Sequence, residues 1–142
     1  MESNVWIKLR GSQEIEGEED SYELITEGTY KKEDEKYVVT YEGSEITGYE
    51  NTTTTLNIEK DNVSMIRTGS LAPTQMIFEK GNKYTGQYET PFGFLYVGVI
   101  TNDMNVCVDD EGGNIELDYY VQFNDNDMMK NTLSVEIMKK ED

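Results

Sequence analysis

The sequence predicts an all-β fold: an antiparallel up-and-down β-barrel of about 8–10 strands. Three observations predict it. Apolar and polar residues alternate with the two-residue period of a half-buried strand in segment after segment, and no long stretch carries the i, i+3, i+4 spacing of an amphipathic helix. The segments recur at roughly ten-residue intervals with hairpin-length breaks, too short for the crossovers that parallel strands need. Four glycines, Gly28, Gly69, Gly86 and Gly98, fall on the apolar parity of their strands. A glycine there marks a bend or a close backbone approach, as a closing, curved sheet requires, and this favours a barrel over a two-sheet sandwich.

Val5, Ile7 and Leu9 alternate with Trp6, Lys8 and Arg10 and form a first strand with Trp6 on its outer face. Gly11 to Asp20 is polar and acidic and reads as a turn and solvated loop. Tyr22, Leu24, Thr26, Gly28 and Tyr30 share one parity, Lys31 to Lys36 is a charged turn, and Tyr37, Val39 and Tyr41 alternate next. Gly43 to Glu50 reads as a longer loop. Thr52 to Ile58 is a strand on β-propensity, and Asp61-Asn62 is a hairpin signal.

Val63 to Gly69 follows as a strand with Val63, Met65, Arg67 and Gly69 on one face. Pro73 precedes a strand bearing Met76 and Phe78, and Gly81-Asn82 is a turn. Tyr84, Gly86, Tyr88 and Thr90 alternate up to a break at Pro91, which cannot donate to a central ladder. Phe94, Tyr96, Gly98 and Ile100 are then taken as one face, with Leu95, Val97 and Val99 opposite, so this strand is apolar on both sides and its outside should be covered. Val106 to Val108 is short, Asp109 to Gly113 is an acidic turn, and Ile115, Leu117, Tyr119, Val121 and Phe123 alternate cleanly. Asn124 to Asp127 is a turn, Leu133, Val135 and Ile137 make the last strand, and Lys139 to Asp142 should fray.

The 142 residues read as a single domain, 1–142. The formal net charge of −17, with no basic stripe, repels nucleic-acid phosphates and anionic membrane surfaces alike. One cysteine, Cys107, allows no internal disulfide and fits a reducing cytosol, so the expected compartment is cytoplasmic. No apolar run approaches a membrane span, and the first residues lack the pattern of a signal peptide.

From Gly28 onward the chain resembles the YwiB-like bacterial proteins of unknown function. The residues that carry the resemblance are Gly28-Thr29-Tyr30, Tyr37-Val38-Val39-Thr40-Tyr41, Val63 to Gly69, Met76-Ile77-Phe78, Tyr88-Glu89-Thr90-Pro91-Phe92-Gly93, and Gly113-Asn114-Ile115 with Tyr119. The resemblance implies a calycin-type barrel, akin in architecture to lipocalins. It implies no activity and supplies no catalytic residues.

The chain contains no histidine, which removes the usual triads and imidazole bases, and one cysteine cannot build a thiolate zinc site. No cofactor, metal or catalytic residue is expected. The inward Arg67 is the residue that asks for a reason, because a buried guanidinium is costly unless paired. Tyr22, Tyr30, Tyr37, Tyr41, Tyr84, Tyr88, Tyr96 and Tyr119 share its parity. Arg67 with Tyr30, Tyr41, Tyr88 and Tyr119 is therefore the candidate ligand site, a guanidinium among hydroxyls that suits a small anionic or apolar ligand. Gly69 beside it places Arg67 near a barrel rim. The reading is a non-catalytic interior-binding barrel. The alternative is a partner or homodimer interface on the outer surface, at Leu95 to Val99 with Trp6, Ile25 and Ile66.

Overall fold

The computed structural model describes residues 2–15, 17–42, 52–69, 74–90, 93–123 and 128–140. Ten strands occur in chain order: β1 (Glu2–Ile15), β2 (Glu18–Glu33), β3 (Lys36–Glu42), β4 (Thr52–Ile58), β5 (Val63–Gly69), β6 (Thr74–Phe78), β7 (Lys83–Thr90), β8 (Gly93–Asp109), β9 (Gly112–Phe123) and β10 (Met128–Lys139). They form one antiparallel sheet in the order β6-β5-β4-β3-β2-β1-β10-β9-β8-β7. The first and last strands are partners, so the sheet curls until its end strands meet: β6 touches both β7 and β8. The turn between β6 and β7 prolongs the β7–β8 ladder at that end. Gly81 N–H donates to the Thr101 carbonyl at 3.0 Å, and Thr101 N–H donates to the Asn82 carbonyl at 3.4 Å. The result is a nearly closed up-and-down barrel, with no helix among the described residues.

The two-residue alternation decides what is buried. Val5, Ile7, Val39, Leu56, Ile58, Val63, Ile115 and Val135 are almost wholly shielded from solvent. Each such side chain contributes about 1.5–3 kcal/mol of burial. Thr52 and Thr54 are buried on the same face of β4 as Leu56 and Ile58, so the threonine run is part of the barrel wall.

Four expectations need correction. The segment from Gly11 to Asp20 is not a loop. β1 and β2 continue as a ladder to Ile15 and Glu18, because polar residues on a solvated hairpin still satisfy their backbone groups through pairing. Val106 to Val108 is not a separate strand but the end of the long β8. β8 faces the opposite way to the expectation up to Thr101. Val97 and Val99 are buried, Tyr96 is half-exposed, and Gly98 faces outward under the Lys83 side chain. Tyr96 therefore leaves the interior set, and the apolar strip expected on the outside of β8 largely turns inward. Finally, Lys140 does not fray. Its N–H donates to the Asn4 carbonyl, its ammonium pairs with Glu27 at 2.9 Å, and it lies 4.5 Å from the centre of the Trp6 ring.

β8 also changes face partway. Thr101 pairs with Tyr119 while Asp103 pairs with Asp118, so Asn102 is an extra residue in a β-bulge. The bulge switches the inward set from Val97, Val99 and Thr101 to Met104, Val106 and Val108. The loop expected at Gly43 to Glu50, the break at Pro91 and the turn at Asn124 to Asp127 lie outside the described residues.

Candidate functional site

Five neighbouring strands bring one inward row into register: Tyr22 on β2 opposite Gly11 on β1, Gly11 opposite Leu133 on β10, Leu133 opposite Leu117 on β9, and Leu117 opposite Met104 on β8. Leu117 and Leu133 are buried, whereas Tyr22 is 59% exposed. Gly11 is what lets the Tyr22 ring lie flat on the sheet, since a Cβ there would stand 2.5 Å from the ring. A cavity of about 660 Å³ is centred on this row. Its wall is completed by residues flanking each member: Arg10 and Ser12, Ser21 and Glu23, Asp103 and Asn105, Glu116 and Asp118, Thr132 and Ser134.

The charged side chains at those flanking positions alternate to the opposite face of the sheet from the row. Arg10 is the one cation in the lining. It donates from Nε to Glu23 at 2.9 Å, and Lys8 reaches the same carboxylate at 3.5 Å. Asp103 Oδ1 accepts the Met104 N–H at 3.0 Å and lies 3.4 Å from the Lys80 ammonium. Asp118 stands directly across from Asp103. Its Oδ1 is shielded from solvent and has no hydrogen-bond partner among the described residues.

The residues singled out from sequence occupy other places. Arg67 is half-buried on β5 opposite Thr54, and Thr54 is opposite Tyr41, so Arg67, buried Thr54 and buried Tyr41 form one inward row. Gly69 ends β5 with φ of 139°, two residues beyond Arg67. Tyr119 packs edge-on against Phe78, with ring centres 4.8 Å apart. The Tyr88 side chain lies outside the described residues. None of Arg67, Tyr30, Tyr41 and Tyr119 lines the 660 Å³ cavity.

Tyr30 is committed elsewhere. Its hydroxyl donates to the Asp109 carbonyl at 2.6 Å, and its ring stacks parallel to Tyr37 at 5.2 Å. Tyr37 in turn donates to Asp110 Oδ1 at 2.7 Å. The two rings thus clasp the β2–β3 hairpin to the β8–β9 hairpin and close one end of the barrel. The hydrogen bond to Asp110, then burial and nearby carboxylate charge, push the Tyr37 phenol up to about 12. Burial first, then the charges of Tyr37, Asp109 and Asp110, raise Tyr30 as well. Tyr84, which donates to Glu79 at 3.2 Å, is raised by desolvation and by that carboxylate.

Tyr22 shows its parity in the sequence, and so does Gly11, which continues the face of Val5, Ile7 and Leu9. Met104 continues the even-numbered series of Phe94 to Ile100, and the bulge at Asn102 brings it inward although that series faces outward before the bulge. Among the described residues no group of three or more acidic or cysteine side chains is placed to hold a metal ion, and no helix is long and apolar enough to cross a membrane. Cys107 is exposed. On the outer surface Trp6, Ile25 and Met138 are exposed neighbours on β1, β2 and β10.

A family model described as "Domain of unknown function (DUF1934)" matches residues 7–135. Among solved structures, the YwiB protein from Bacillus subtilis superposes with a TM-score of 0.79 at 16% identity, covering 99% of this chain and 94% of that one. At that identity the likeness is one of fold. A search of curated proteins finds no match to this chain.

Proposed function

This chain belongs to the DUF1934 family, and from that premise we propose that it is a non-catalytic, calycin-like barrel that binds a small, largely apolar ligand. The observation that carries the reading is the 660 Å³ cavity centred on Tyr22, Gly11, Leu133, Leu117 and Met104. Ligand pockets are typically concave, of about 300–1,000 Å³, and apolar with a few placed polar groups. The hollow has that volume, it is open to solvent, and its apolar part is the inward row, with the exposed Tyr22 ring offering an apolar face with a polar tip. The absence of histidine from the chain favours binding over catalysis.

The test is uptake of a neutral, environment-sensitive dye. Nile red should brighten and shift to the blue on wild-type protein, and Leu133→Trp, which fills the cavity, should abolish the signal while the protein still melts cooperatively. No change of fluorescence with wild-type protein would refute the reading. An anionic ligand at Arg67 is the weaker form of the same idea, because Arg67 stands away from this cavity.

A second reading has its own observation. Trp6, Ile25 and Met138 form an exposed apolar group on the outer surface, which suits a homodimer or partner interface. Sedimentation equilibrium of wild-type protein and Trp6→Glu tests it. A concentration-dependent dimer that the substitution dissolves supports it, and a monomer throughout removes the homodimer.

A further inference from the structure

We infer that the ligand of this hollow is a neutral amphiphile, an apolar body with an uncharged hydroxyl head, and that the Thr101 hydroxyl receives the head. This rests on the reading of the hollow as a ligand site and goes further by naming the chemical class. The apolar row Tyr22, Gly11, Leu133, Leu117 and Met104 takes the body.

The head group follows from the next inward row. Two residues from Leu117 on the same face of β9 stands Tyr119, two from Leu133 on β10 stands Asn131, and two from Gly11 on β1 stands Gln13; Thr101, opposite Tyr119, completes the row on β8. Residues two apart on a strand are about 7 Å apart. From β8 to β1 neither row holds a charged side chain. The first charge along the second row is Asp20 on β2, exposed at the rim. A charged head drawn in here would lose water and gain no counter-ion, which is costly.

Within that row Thr101 is 1% exposed. The β6–β7 turn fixes its backbone, since its N–H donates to the Asn82 carbonyl and its carbonyl accepts the Gly81 N–H. Its Oγ1 is shielded from solvent and meets no hydrogen-bond partner among the described residues. A hydroxyl withdrawn from water without a partner is costly. It can both donate and accept, and with no counter-ion on the row the group that suits it is another hydroxyl. Asn131, also buried, already spends its amide on the Met129 carbonyl at 3.1 Å. Met104 is the next inward residue after Thr101 on β8 and lines the hollow. It is half-buried and unbranched, and a methionine re-packs readily, so its side chain is the one that gives way between hollow and hydroxyl.

The experiment is displacement of Nile red by 1-octanol, 1-chlorooctane, octanoate and octylamine, which share one chain and differ in head, on wild-type protein, Thr101→Val and Thr101→Ser. Octanol is expected to bind wild-type protein more tightly than either charged probe. Thr101→Val, which puts a methyl in place of the hydroxyl, should weaken octanol about tenfold, about 1.4 kcal/mol, and leave chlorooctane unchanged, while Thr101→Ser keeps octanol's affinity. Without ligand Thr101→Val should also raise the urea midpoint, because it removes a buried hydroxyl that lacks a partner. A charged probe that binds more tightly than octanol, equal losses for octanol and chlorooctane, or a lower urea midpoint overturns the assignment and leaves the apolar hollow standing. So does an octanol affinity that Thr101→Val does not move, the result expected of a hydroxyl that holds a water only. Failure of Nile red and all four probes to bind overturns both readings. Thr101→Ala serves should the valine variant not fold.

Discussion

Two glycines of the barrel interior differ in what a methyl group would strike. At Gly28 an added Cβ meets the Thr40 carbonyl oxygen and Ile7 Cδ1, a backbone atom of the paired strand and a fully buried side chain, neither of which can retreat. At Gly11 the nearest atoms all belong to the ring of Tyr22, a side chain that is 59% exposed. Overpacking a well-filled site costs about 1–3 kcal/mol. Gly28→Ala is therefore expected near the top of that range and Gly11→Ala near the bottom, measured by urea denaturation. Gly11→Ala should also lower the affinity for an apolar dye, because displacing Tyr22 changes the edge of the cavity. Equal losses of stability at the two sites would mean that Tyr22 is held as firmly as the backbone of β3.

At the scale of the strands, Asn102 is the extra residue that the bulge in β8 takes up. Deleting it leaves Thr101, Asp103 and Met104 in plain alternation opposite Tyr119, Asp118 and Leu117, so Met104, Val106 and Val108 stay inward. The deletion is therefore expected to cost no more than about 1 kcal/mol, the size of an ordinary single change, with little shift of the urea midpoint. A loss on the order of 3 kcal/mol or more would show that these side chains leave the core when the bulge is removed. The bulge also explains the limit of what could be read from sequence. Alternation at Val5 to Leu9, Leu56 to Ile58 and Ile115 to Val121 was legible because each strand keeps one face throughout. β8 was not, since it is apolar on both parities up to Ile100 and one unpaired residue then changes its face. The reach of β1 and β2 past Gly11 was hidden for another reason: their polar residues carry no burial signal, and only the ladder from Ser12 to Ile15 holds them extended. The Tyr30 and Tyr37 clasp shared the apolar parity, but nothing in the spacing shows that its hydroxyls answer Asp109 and Asp110 some seventy residues on. Both phenols titrate above their ordinary 10.0 in the folded state, Tyr37 at about 12. The fold therefore holds their protons more tightly than the unfolded chain does. That contribution is intact below pH 10.0 and is lost as the pH rises toward 12 and beyond. Urea midpoints should hold level up to the lower value and decline above it, and Tyr37→Phe should decline less steeply. An identical alkaline decline in Tyr37→Phe would remove the clasp as its source.

At the scale of the whole molecule, 29 acidic residues against 12 basic ones leave a net charge of −17 on a chain of 142 residues. Six ion pairs among the described residues engage some of these charges, and they lie at the surface, with at least one partner substantially exposed in each. Pairs of that kind contribute about 0–1 kcal/mol each and weaken in salt. Repulsion among the unpaired carboxylates opposes folding and weakens in salt too. Salt therefore pulls stability in two directions, and the balance of numbers says which prevails. Far more carboxylates are unpaired than paired, and compaction into one barrel brings them closer than the unfolded chain does. Raising sodium chloride from about 20 mM to about 500 mM, which shortens the screening length to a few ångströms, is expected to stabilise the protein by about 1–2 kcal/mol. In thermal melting that corresponds to a rise in Tm of roughly 3–8 °C. Sodium sulfate would stabilise through exclusion from the surface as well, so the chloride series is the measurement that isolates charge. A Tm that falls with sodium chloride would mean that the pairs at Glu23, Glu27 and Glu111 outweigh the net repulsion, and that the acidic surface is organised more closely than its net charge implies.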